Sequence, residues 1–302
     1  MTRRRFLRRG LVGAAAVLGA VTVGTELLDR GIVPGRELLE SEHLDPGCWT
    51  PIGAPACGAG GATLTGSFWS RYRRREVGYT VGYPPGHGPG DRLPLVVMLH
   101  GFRGSHAHSL AGISPQDAVG LSVEGHRLTP MALVTVDGGN GYWHPHPGDD
   151  PMGMVVDELL PMLRGRGLGA APSRVGIMGV SMGGFGALAM AEHHPGLFAA
   201  VAAISPAIFT TYAWVHYVNP GAFWSAGDFA RYDAITHAAA LARTPVRVAC
   251  GLSDPFYPWV VDLVEALPPG ADVEFAPGGH DGDFSASEQP RSLEFLARHL
   301  AP

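Results

Sequence analysis

Residues 174–191 read RVGIMGVSMGGFGALAMA, and Gly179, Ser181 and Gly183 form the pattern G-x-S-x-G within them. A β-forming run precedes Ser181 and an alanine-rich helical stretch follows it, which is the strand–turn–helix context that this pattern requires. A serine on so sharp a turn leaves no room for Cβ atoms on the neighbouring backbone, which explains the glycines. The amides after Ser181 begin a helix and face any nearby anion. The stretch therefore predicts Ser181 as a nucleophile.

A serine hydroxyl is a weak nucleophile until a base takes its proton, so the chain must also supply a histidine and an acid that orients it. In this type of fold the acid and then the histidine follow the serine, each just after a strand. Asp254 follows the apolar run at 246–250, and His280 follows the run at 272–275 and two glycines. We expect Asp254 to accept the Nδ1 proton of His280, so that Nε2 can take the proton of Ser181.

Other acids compete for the orienting role. Asp228 or Asp233 could replace Asp254, whereas Asp281 and Asp283 lie too close to the histidine in the chain to orient its ring. An ordinary turn aspartate is the structural alternative for Asp254. We favour Asp254 because it directly follows a strand.

The remaining histidines are weaker candidates. His106 and His108, and likewise His144 and His146, could each bind a metal, but no ordered acidic or cysteine partners surround them. We predict no catalytic metal and no cofactor.

An oxyanion hole also requires an amide from the loop after an earlier strand. The apolar run at 95–99 leads into His-Gly-Phe-Arg-Gly, where Gly101 lets the backbone turn over the site. The amide of Phe102 would then join that of Met182 to stabilise the oxyanion. Arg103 could contact a polar or anionic part of the substrate or pair with a surface acid.

The body of the chain alternates strands and helices. The predicted strands are 77–83, 93–99, 132–136, 174–179, 199–204, 246–250 and 272–275, and the predicted helices are 151–164, 181–194, 232–242, 258–267 and 287–300. Continuous apolar runs indicate strands that are covered on both faces. The fold class is therefore α/β, with a mostly parallel central sheet and helices on both faces.

Three further segments complete the predicted organisation. Residues 1–25 are a targeting segment, residues 26–75 form an irregular leader with a solvated basic edge at 71–75, and residues 76–302 form the catalytic domain. Residues 205–231, rich in aromatic residues and glycine, interrupt the alternation and could form a lid.

The composition excludes several functions. All 22 basic residues are arginines, and with 27 acidic residues the formal net charge is −5. Without lysine the chain can build neither a Schiff base nor a P-loop. An acidic chain without a basic stripe is a poor nucleic-acid binder. Charged residues at 16% and hydrophobic residues at 46% are typical of a chain with a large core.

The first 25 residues resemble an export signal. An arginine pair precedes Phe6 and Leu7, and the uncharged stretch at 10–25 follows. This pattern favours the twin-arginine route to a secreted or envelope-associated location. Because no clear cleavage site follows, the alternative is an anchor that keeps the protein on the membrane.

Cysteine usage fits an exported protein. Cys48 and Cys57 lie close together in a Gly- and Pro-rich segment, and we favour a disulfide between them, with two free thiols as the alternative. Cys250 ends an apolar run and is expected in the core.

The chain resembles an α/β-hydrolase of the putative-esterase group, which includes esterase D (S-formylglutathione hydrolase), feruloyl esterases and mycolyltransferases. The matching pieces are His-Gly-Phe-Arg-Gly at 100–104, Gly-Val-Ser-Met-Gly-Gly at 179–184, Asp254 after its strand, and Gly-Gly-His-Asp at 278–281. The resemblance implies the same triad and the same two oxyanion amides. Mycolyltransferases use a glutamate as the acid, which weakens the likeness to them.

The sequence therefore predicts an exported serine esterase acting on a small-molecule or lipid ester. One alternative is transfer of the acyl group to a sugar or lipid alcohol, and another is a non-catalytic envelope protein that only binds. The oligomeric state is left open.

Overall fold

The computed structural model of the protein describes residues 61–107, 122–123, 126–171 and 174–300. Its largest element is an eight-stranded sheet. The strands are β1 (Thr63–Ser70), β2 (Arg75–Gly82), β3 (Leu95–Leu99), β6 (Ala132–Val136), β7 (Val175–Val180), β8 (Val201–Ile204), β9 (Val246–Gly251) and β10 (Asp272–Ala276), while β4 (Ser122–Val123) and β5 (His126–Arg127) pair separately.

The strand order is β1-β2-β6-β3-β7-β8-β9-β10. The pairs β1–β2 and β2–β6 are antiparallel, and every pair from β6 to β10 is parallel. All residues of β3, β6, β8 and β9 are buried, and apart from Thr135 and Arg247 these strands are apolar, as expected for strands covered on both faces. The predicted mostly parallel sheet is confirmed.

Helices connect the strands. They are α1 (Pro151–Gly153), a π-helical turn (Met154–Leu159), α2 (Leu160–Gly165), α3 (Met182–His193), α4 (Tyr212–Val218), α5 (Ala226–Tyr232), α6 (Ala234–His237) with a 3₁₀ turn (Ala238–Leu241), α7 (Tyr257–Ala266) and α8 (Gly282–Leu300).

The helices cover both faces of the sheet. A Cβ atom on Gly176 of β7 would contact Leu296 and Leu300 of α8, whereas a Cβ atom on Gly179 would overlap the backbone of Gly183 in α3. Because positions 176 and 179 of one strand point to opposite faces, α8 and α3 lie on opposite faces. The predicted layer arrangement is therefore correct.

The predicted irregular leader at 26–75 is wrong in its last part. Residues 63–70 form β1, which pairs with β2 over its whole length from Thr63↔Gly82 to Ser70↔Arg75. Exposed and less exposed residues alternate along this strand because it lies at an edge of the sheet. Its threonines, serine and glycine give no apolar run, so the sequence pattern did not indicate a strand. The described part of the catalytic domain therefore begins at least as early as residue 63.

The predicted solvated basic edge at 71–75 also needs correction. Arg73 is only 3% exposed. Its guanidinium binds both carboxylate oxygens of Asp149, at 2.7 and 2.9 Å, and donates to the carbonyl of Asp137. A bidentate pair with a carboxylate can satisfy a buried guanidinium. Arg73 thus anchors the loop after β6, while Arg71 remains exposed.

The interrupting segment at 205–231 contains α4 and most of α5. The targeting segment, Cys48, Cys57, the leader up to residue 60 and His108 lie outside the described residues, so the predictions made for them stay predictions. Among the helices that the structure describes, none is long and apolar enough to cross a membrane.

Candidate active site

Ser181 lies on the turn between β7 and α3. Its backbone has φ 56° and ψ −121°, a combination that non-glycine residues rarely adopt. A Cβ atom on Gly179 would overlap the carbonyl of Gly183, and one on Gly183 would overlap the carbonyl oxygen of Leu99. The turn therefore requires both glycines, as the sequence pattern predicts.

The last residue of β8 and the segment that follows it hold this turn through hydrogen bonds. The amide of Ser181 donates to the carbonyl of Ile204 at 3.0 Å, and the amide of Ala207 donates to the carbonyl of Ser181 at 3.0 Å. Neither peptide group of Ser181 is free to rotate without breaking a hydrogen bond. The side chain therefore projects from a fixed backbone.

The structure brings Ser181, His280 and Asp254 together. Oγ of Ser181 lies 2.8 Å from Nε2 of His280, and Nδ1 of His280 lies 2.8 Å from Oδ2 of Asp254. The other carboxylate oxygen of Asp254 accepts the amide of Phe256 at 2.8 Å, and Asp254 is only 3% exposed. Because the carboxylate accepts the Nδ1 proton, Nε2 faces the serine as an acceptor.

The competing acids have other partners. Asp228 accepts the amide of Trp224, and Asp233 accepts the amide of Ile235 at the start of α6. Asp281 accepts the amide of Phe284 in the first turn of α8. The contacts of Asp233 and Asp281 are ordinary capping contacts at the start of a helix.

Close backbone packing sets His280 opposite Asp254. A Cβ atom on Gly251 would overlap the carbonyl of Gly278, and the amide of Ser253 donates to that carbonyl at 2.9 Å. Gly278 has φ 155°, which a side chain would disfavour. The loops after β9 and β10 are thus joined where they carry the acid and the histidine.

The loop after β3 lies beside the start of α3. Leu99 pairs with Gly179 in the sheet, so the chain leaves β3 and β7 at the same edge. Met182 is the first residue of α3, and its amide has no partner within the helix. Phe102 lies in a turn closed by the hydrogen bond from the amide of Gly104 to the carbonyl of Gly101. The two predicted oxyanion amides therefore belong to neighbouring turns at this edge.

Arg103 follows with φ 62°, and its amide donates to Oδ1 of Asn140 at 2.7 Å. Its exposed guanidinium lies 5.5 Å from the centre of the Phe102 ring. This cation–π contact holds the positive charge of Arg103 against the ring of Phe102.

The sequence did not predict that Trp143 stabilises the loop after β3. Trp143 is fully buried, and its indole N–H donates to the carbonyl of His100 at 3.1 Å. The amide of Gly138 lies 3.0 Å from Nε2 of His100, and Nδ1 of His100 lies 2.7 Å from the carbonyl of Gly101. The neutral histidine with its proton on Nδ1 satisfies both contacts. The aromatic run after β6 was the available signal.

His144, one of the histidines considered as metal ligands, is bound by other groups. His144 is stacked between Phe223 and Tyr232, and its Nε2 donates to the carbonyl of Ala222 at 2.7 Å. Burial, assisted by the nearby His146, lowers the pKa of His144 to about 3. In the part of the chain that the structure describes, no group of three or more His, Cys, Asp or Glu side chains could hold a metal ion.

Cys250 is buried in β9, as predicted. Burial, together with the nearby Asp254 carboxylate, raises the pKa of its thiol. The sulfur is therefore a core group and a poor nucleophile at neutral pH.

The sheet, the strained serine turn and the order serine, acid, histidine define the α/β-hydrolase class. Within that class the chain belongs to the putative esterase family, whose model matches residues 70–268. This confirms the predicted relationship and, at the level of the family, the predicted class of carboxylic ester hydrolase. His280 lies beyond the matched residues, so its position rests on the geometry above.

Solved structures share the fold at low sequence identity. A ferulic acid esterase is 20% identical, with a TM-score of 0.65 over 80% of this chain and 98% of that one. An S-formylglutathione hydrolase from Agrobacterium tumefaciens is 23% identical, with a TM-score of 0.60 over 83% and 100%. The fluorophosphonate-binding serine hydrolase F of Staphylococcus aureus is 15% identical, with a TM-score of 0.62 over 79% and 99%. No curated protein sequence matches the chain significantly.

Proposed function

We propose that the protein is an exported serine esterase that hydrolyses carboxylic esters through Ser181, His280 and Asp254. The observation that supports it most is the hydrogen-bonded chain from the serine hydroxyl through the imidazole to the buried carboxylate, with 2.8 Å at both steps. A non-catalytic binding protein would have no need for this alignment or for the strained serine.

The reaction begins when Oγ of Ser181 attacks the ester carbonyl carbon and its proton moves to Nε2 of His280. The carbonyl electron pair moves to the oxygen, which the amides of Phe102 and Met182 stabilise. The carboxylate of Asp254 stabilises the imidazolium that has formed. Collapse of this intermediate breaks the bond to the alcohol, which leaves with the proton from His280.

The acyl group then remains on Ser181. His280 takes a proton from water as the water oxygen attacks the acyl carbon, and the second intermediate expels the serine oxygen. The proton returns to Oγ and the carboxylic acid departs. Arg103, held on the ring of Phe102, contacts a polar or anionic part of the substrate at the rim.

Transfer of the acyl group to a sugar or lipid alcohol would use the same steps with another acceptor. No contact among the described residues favours such an acceptor over water, and the acid of the triad is Asp254 rather than a glutamate. Hydrolysis is therefore the function that we propose.

Short-chain p-nitrophenyl esters and a fluorophosphonate probe test the proposal. Wild-type protein should release p-nitrophenol, and Ser181→Ala should lower kcat by about 10⁶-fold while the circular dichroism spectrum is unchanged. The probe should label the peptide that contains Ser181. Undiminished turnover by Ser181→Ala, or labelling of another serine, would refute the assignment.

Export is tested separately in cells. A tagged chain should accumulate outside the cytoplasm, and replacement of Arg4 and Arg5 by lysine should retain it inside, because the pair carries the proposed twin-arginine signal. Unchanged export would contradict this part of the proposal alone.

A further inference from the structure

The peptide group that carries the amide of Phe102 is held by hydrogen bonds at its other end. That end is the carbonyl of Gly101, which accepts the amide of Gly104 at 3.1 Å and the Nδ1 proton of His100 at 2.7 Å. The ring of His100 is fixed in turn by the amide of Gly138, which donates to Nε2 at 3.0 Å. A peptide group whose carbonyl accepts hydrogen bonds is polarised, so its N–H becomes a better donor. The Phe102 amide is therefore both oriented and strengthened as a donor.

The two neighbouring peptide groups are held by side chains of the loop after β6. The carbonyl of His100, on the preceding peptide group, accepts the indole N–H of Trp143 at 3.1 Å. The amide of Arg103, on the following peptide group, donates to Oδ1 of Asn140 at 2.7 Å. Three successive peptide groups, with the Phe102 amide in the middle one, are thus fixed. None of them can rotate without breaking a hydrogen bond.

Trp143 also contacts the helix that supplies the other predicted oxyanion amide. A Cβ atom on Gly186 of α3 would overlap the Cβ atom and the ring of Trp143. One fully buried side chain therefore touches the helix that begins at Met182 and, through the carbonyl of His100, the turn that carries Phe102. The two amides must bind one oxygen atom, and a displacement of about 1 Å can cost 10²-fold in rate. The contacts of Trp143 fix the separation on which this binding depends.

The backbone of the loop after β6 is strained at the same place. Tyr142 and Trp143 have φ 52° and 60°, which residues other than glycine rarely adopt. Among the described residues, the other non-glycine residues with positive φ are Arg74, Arg103, Ser181 and Ser205. All of these except Arg74 follow parallel strands at the edge of the sheet that carries the triad. Backbone strain clusters at functional sites, whereas a tryptophan needed only to fill the core requires no strained backbone.

Building on the esterase activity proposed above, we propose that Asn140 and Trp143 are positioning residues for the oxyanion hole. Asn140 fixes the direction of the Phe102 amide, and Trp143 fixes both that direction and the separation from the Met182 amide. Both side chains act through the backbone and not on the ester itself.

Asn140→Ala tests the orientation of the amide. The substitution removes one hydrogen bond made by an exposed side chain, so the Tm should stay at the wild-type value. With p-nitrophenyl acetate, kcat and kcat/KM should fall together by about tenfold, because only the transition state loses stabilisation. The pH at which kcat/KM is half-maximal should not change, since it reports the protonation of His280 and not the oxyanion hole.

Trp143→Phe keeps a buried aromatic ring but removes the indole N–H. We expect kcat to fall by about tenfold to 10²-fold, with KM and the midpoint of the pH profile unchanged. The Tm should fall as well, because the smaller ring leaves a cavity. Activity is measured well below the Tm of each variant, so that only folded protein contributes. If Trp143→Phe does not fold, Asn140→Ala decides alone.

Asn219→Ala is the matched control. Oδ1 of Asn219 also accepts a loop amide, that of Gly221 at 3.1 Å, but it does so in the loop after α4. This variant should keep the kcat, the KM and the pH profile of the wild type.

Wild-type kcat in both variants, a higher KM at unchanged kcat, or a shifted midpoint of the pH profile would overturn the assignment while leaving the esterase intact. A loss in one variant alone would remove the other residue from the assignment. If wild type showed no Ser181-dependent turnover, the proposed function itself would fail, and the positioning role with it.

Discussion

Ser181 is held in a strained conformation by backbone hydrogen bonds to Ile204 and Ala207. Backbone strain of this kind costs on the order of 1–3 kcal/mol, which these two hydrogen bonds help to offset. The result is a hydroxyl whose direction is set before any ester binds. Such preorganisation lowers the reorganisation needed during the reaction.

Asp254 offers a direct test of the triad at the residue scale. Asp254→Asn keeps the shape of the side chain but cannot stabilise an imidazolium or hold the required tautomer of His280. We expect kcat to fall by about 10⁴-fold with little change in KM. Steady-state kinetics on a p-nitrophenyl ester measure the effect.

Asp233→Asn is the matched control for Asp254→Asn. Asp233 caps α6 through the amide of Ile235, and asparagine caps helices about as well as aspartate. This variant should retain wild-type turnover. The reverse result, with Asp254→Asn active and Asp233→Asn inactive, would transfer the acid role to Asp233.

Glu192 should make stability depend on pH. The residue is buried in α3, and neither of its carboxylate oxygens has a hydrogen-bond partner. Burial, and secondarily the nearby charge of Asp233, raises the pKa of Glu192 well above its usual value. The protonated form is favoured in the folded state, so its contribution is fully present below the unfolded pKa and is lost as pH rises through the folded pKa.

Replacing Glu192 by glutamine should remove this loss. Below pH 4.5 the free energy of unfolding should change with pH in nearly the same way in the wild type and in Glu192→Gln. Above it, the wild type should lose up to about 1.4 kcal/mol per pH unit relative to the variant, until the folded pKa is reached. Urea unfolding between pH 4 and 9 measures the two slopes, and equal slopes would show that Glu192 does not titrate in this way.

At the scale of elements, the contact between β3 and α3 depends on Gly183. A Cβ atom there would overlap backbone atoms of Leu99, which no side-chain movement can relieve. Gly183→Ala should therefore displace the serine turn from the loop after β3, lowering kcat/KM by at least about 10²-fold and lowering the Tm by several degrees.

Gly227→Ala is the matched control for that substitution. The nearest atom to its added methyl group would be Oγ of Ser225 at 3.8 Å, an ordinary contact. Gly227 lies in the first turn of α5, where alanine is also the better helix former. We expect wild-type activity and an unchanged or slightly higher Tm. Equal losses in both variants would mean that general destabilisation, and not the contact with β3, explains the effect at Gly183.

The strands differ in how well their sequences predicted them. The largely apolar runs of β3, β6, β7 and β9 made those strands predictable, because strands buried on both faces are mostly apolar. The edge strand β1 is not buried on both faces and so has no apolar run. Its mixture of threonine, serine and aromatic residues therefore predicts an irregular leader and not a strand.

The sequence also did not predict buried contacts between distant parts of the chain. The sequence predicts a solvated Arg73, whereas the structure shows it bound to Asp149, and Trp143 donates to the carbonyl of His100 from the loop after β6. Both contacts join residues that only the complete fold brings together. Ser181, Asp254 and His280 were predictable because each directly follows a strand and because the order of the triad is constrained by the fold.

At the scale of the whole molecule, the correction to the leader changes where the domain can be cut. A chain beginning at residue 61 retains β1 and Arg73, and it should unfold cooperatively and hydrolyse p-nitrophenyl esters at close to the wild-type rate. A chain beginning at residue 76 loses β1 with its entire pairing to β2, and it loses the clamp of Arg73 on Asp149.

The shorter chain should therefore have a lower Tm by several degrees or fail to express in soluble form, since removal of one partner leaves a part-buried carboxylate unpaired and β2 becomes an edge. Thermal unfolding of both truncations decides the point. Equal stability would mean that β1 contributes nothing to the fold.

The triad is divided unevenly between the centre and the margin of the sheet. Ser181 follows β7, which lies inside the sheet, whereas His280 follows β10, the last strand, all of whose residues are partly exposed. Edge strands generally show weaker protection against hydrogen exchange than central strands. Partial opening at this margin would separate base from nucleophile while most of the sheet stays paired. On gradual heating, we accordingly expect turnover to vanish at a lower temperature than the far-ultraviolet signal of the intact core.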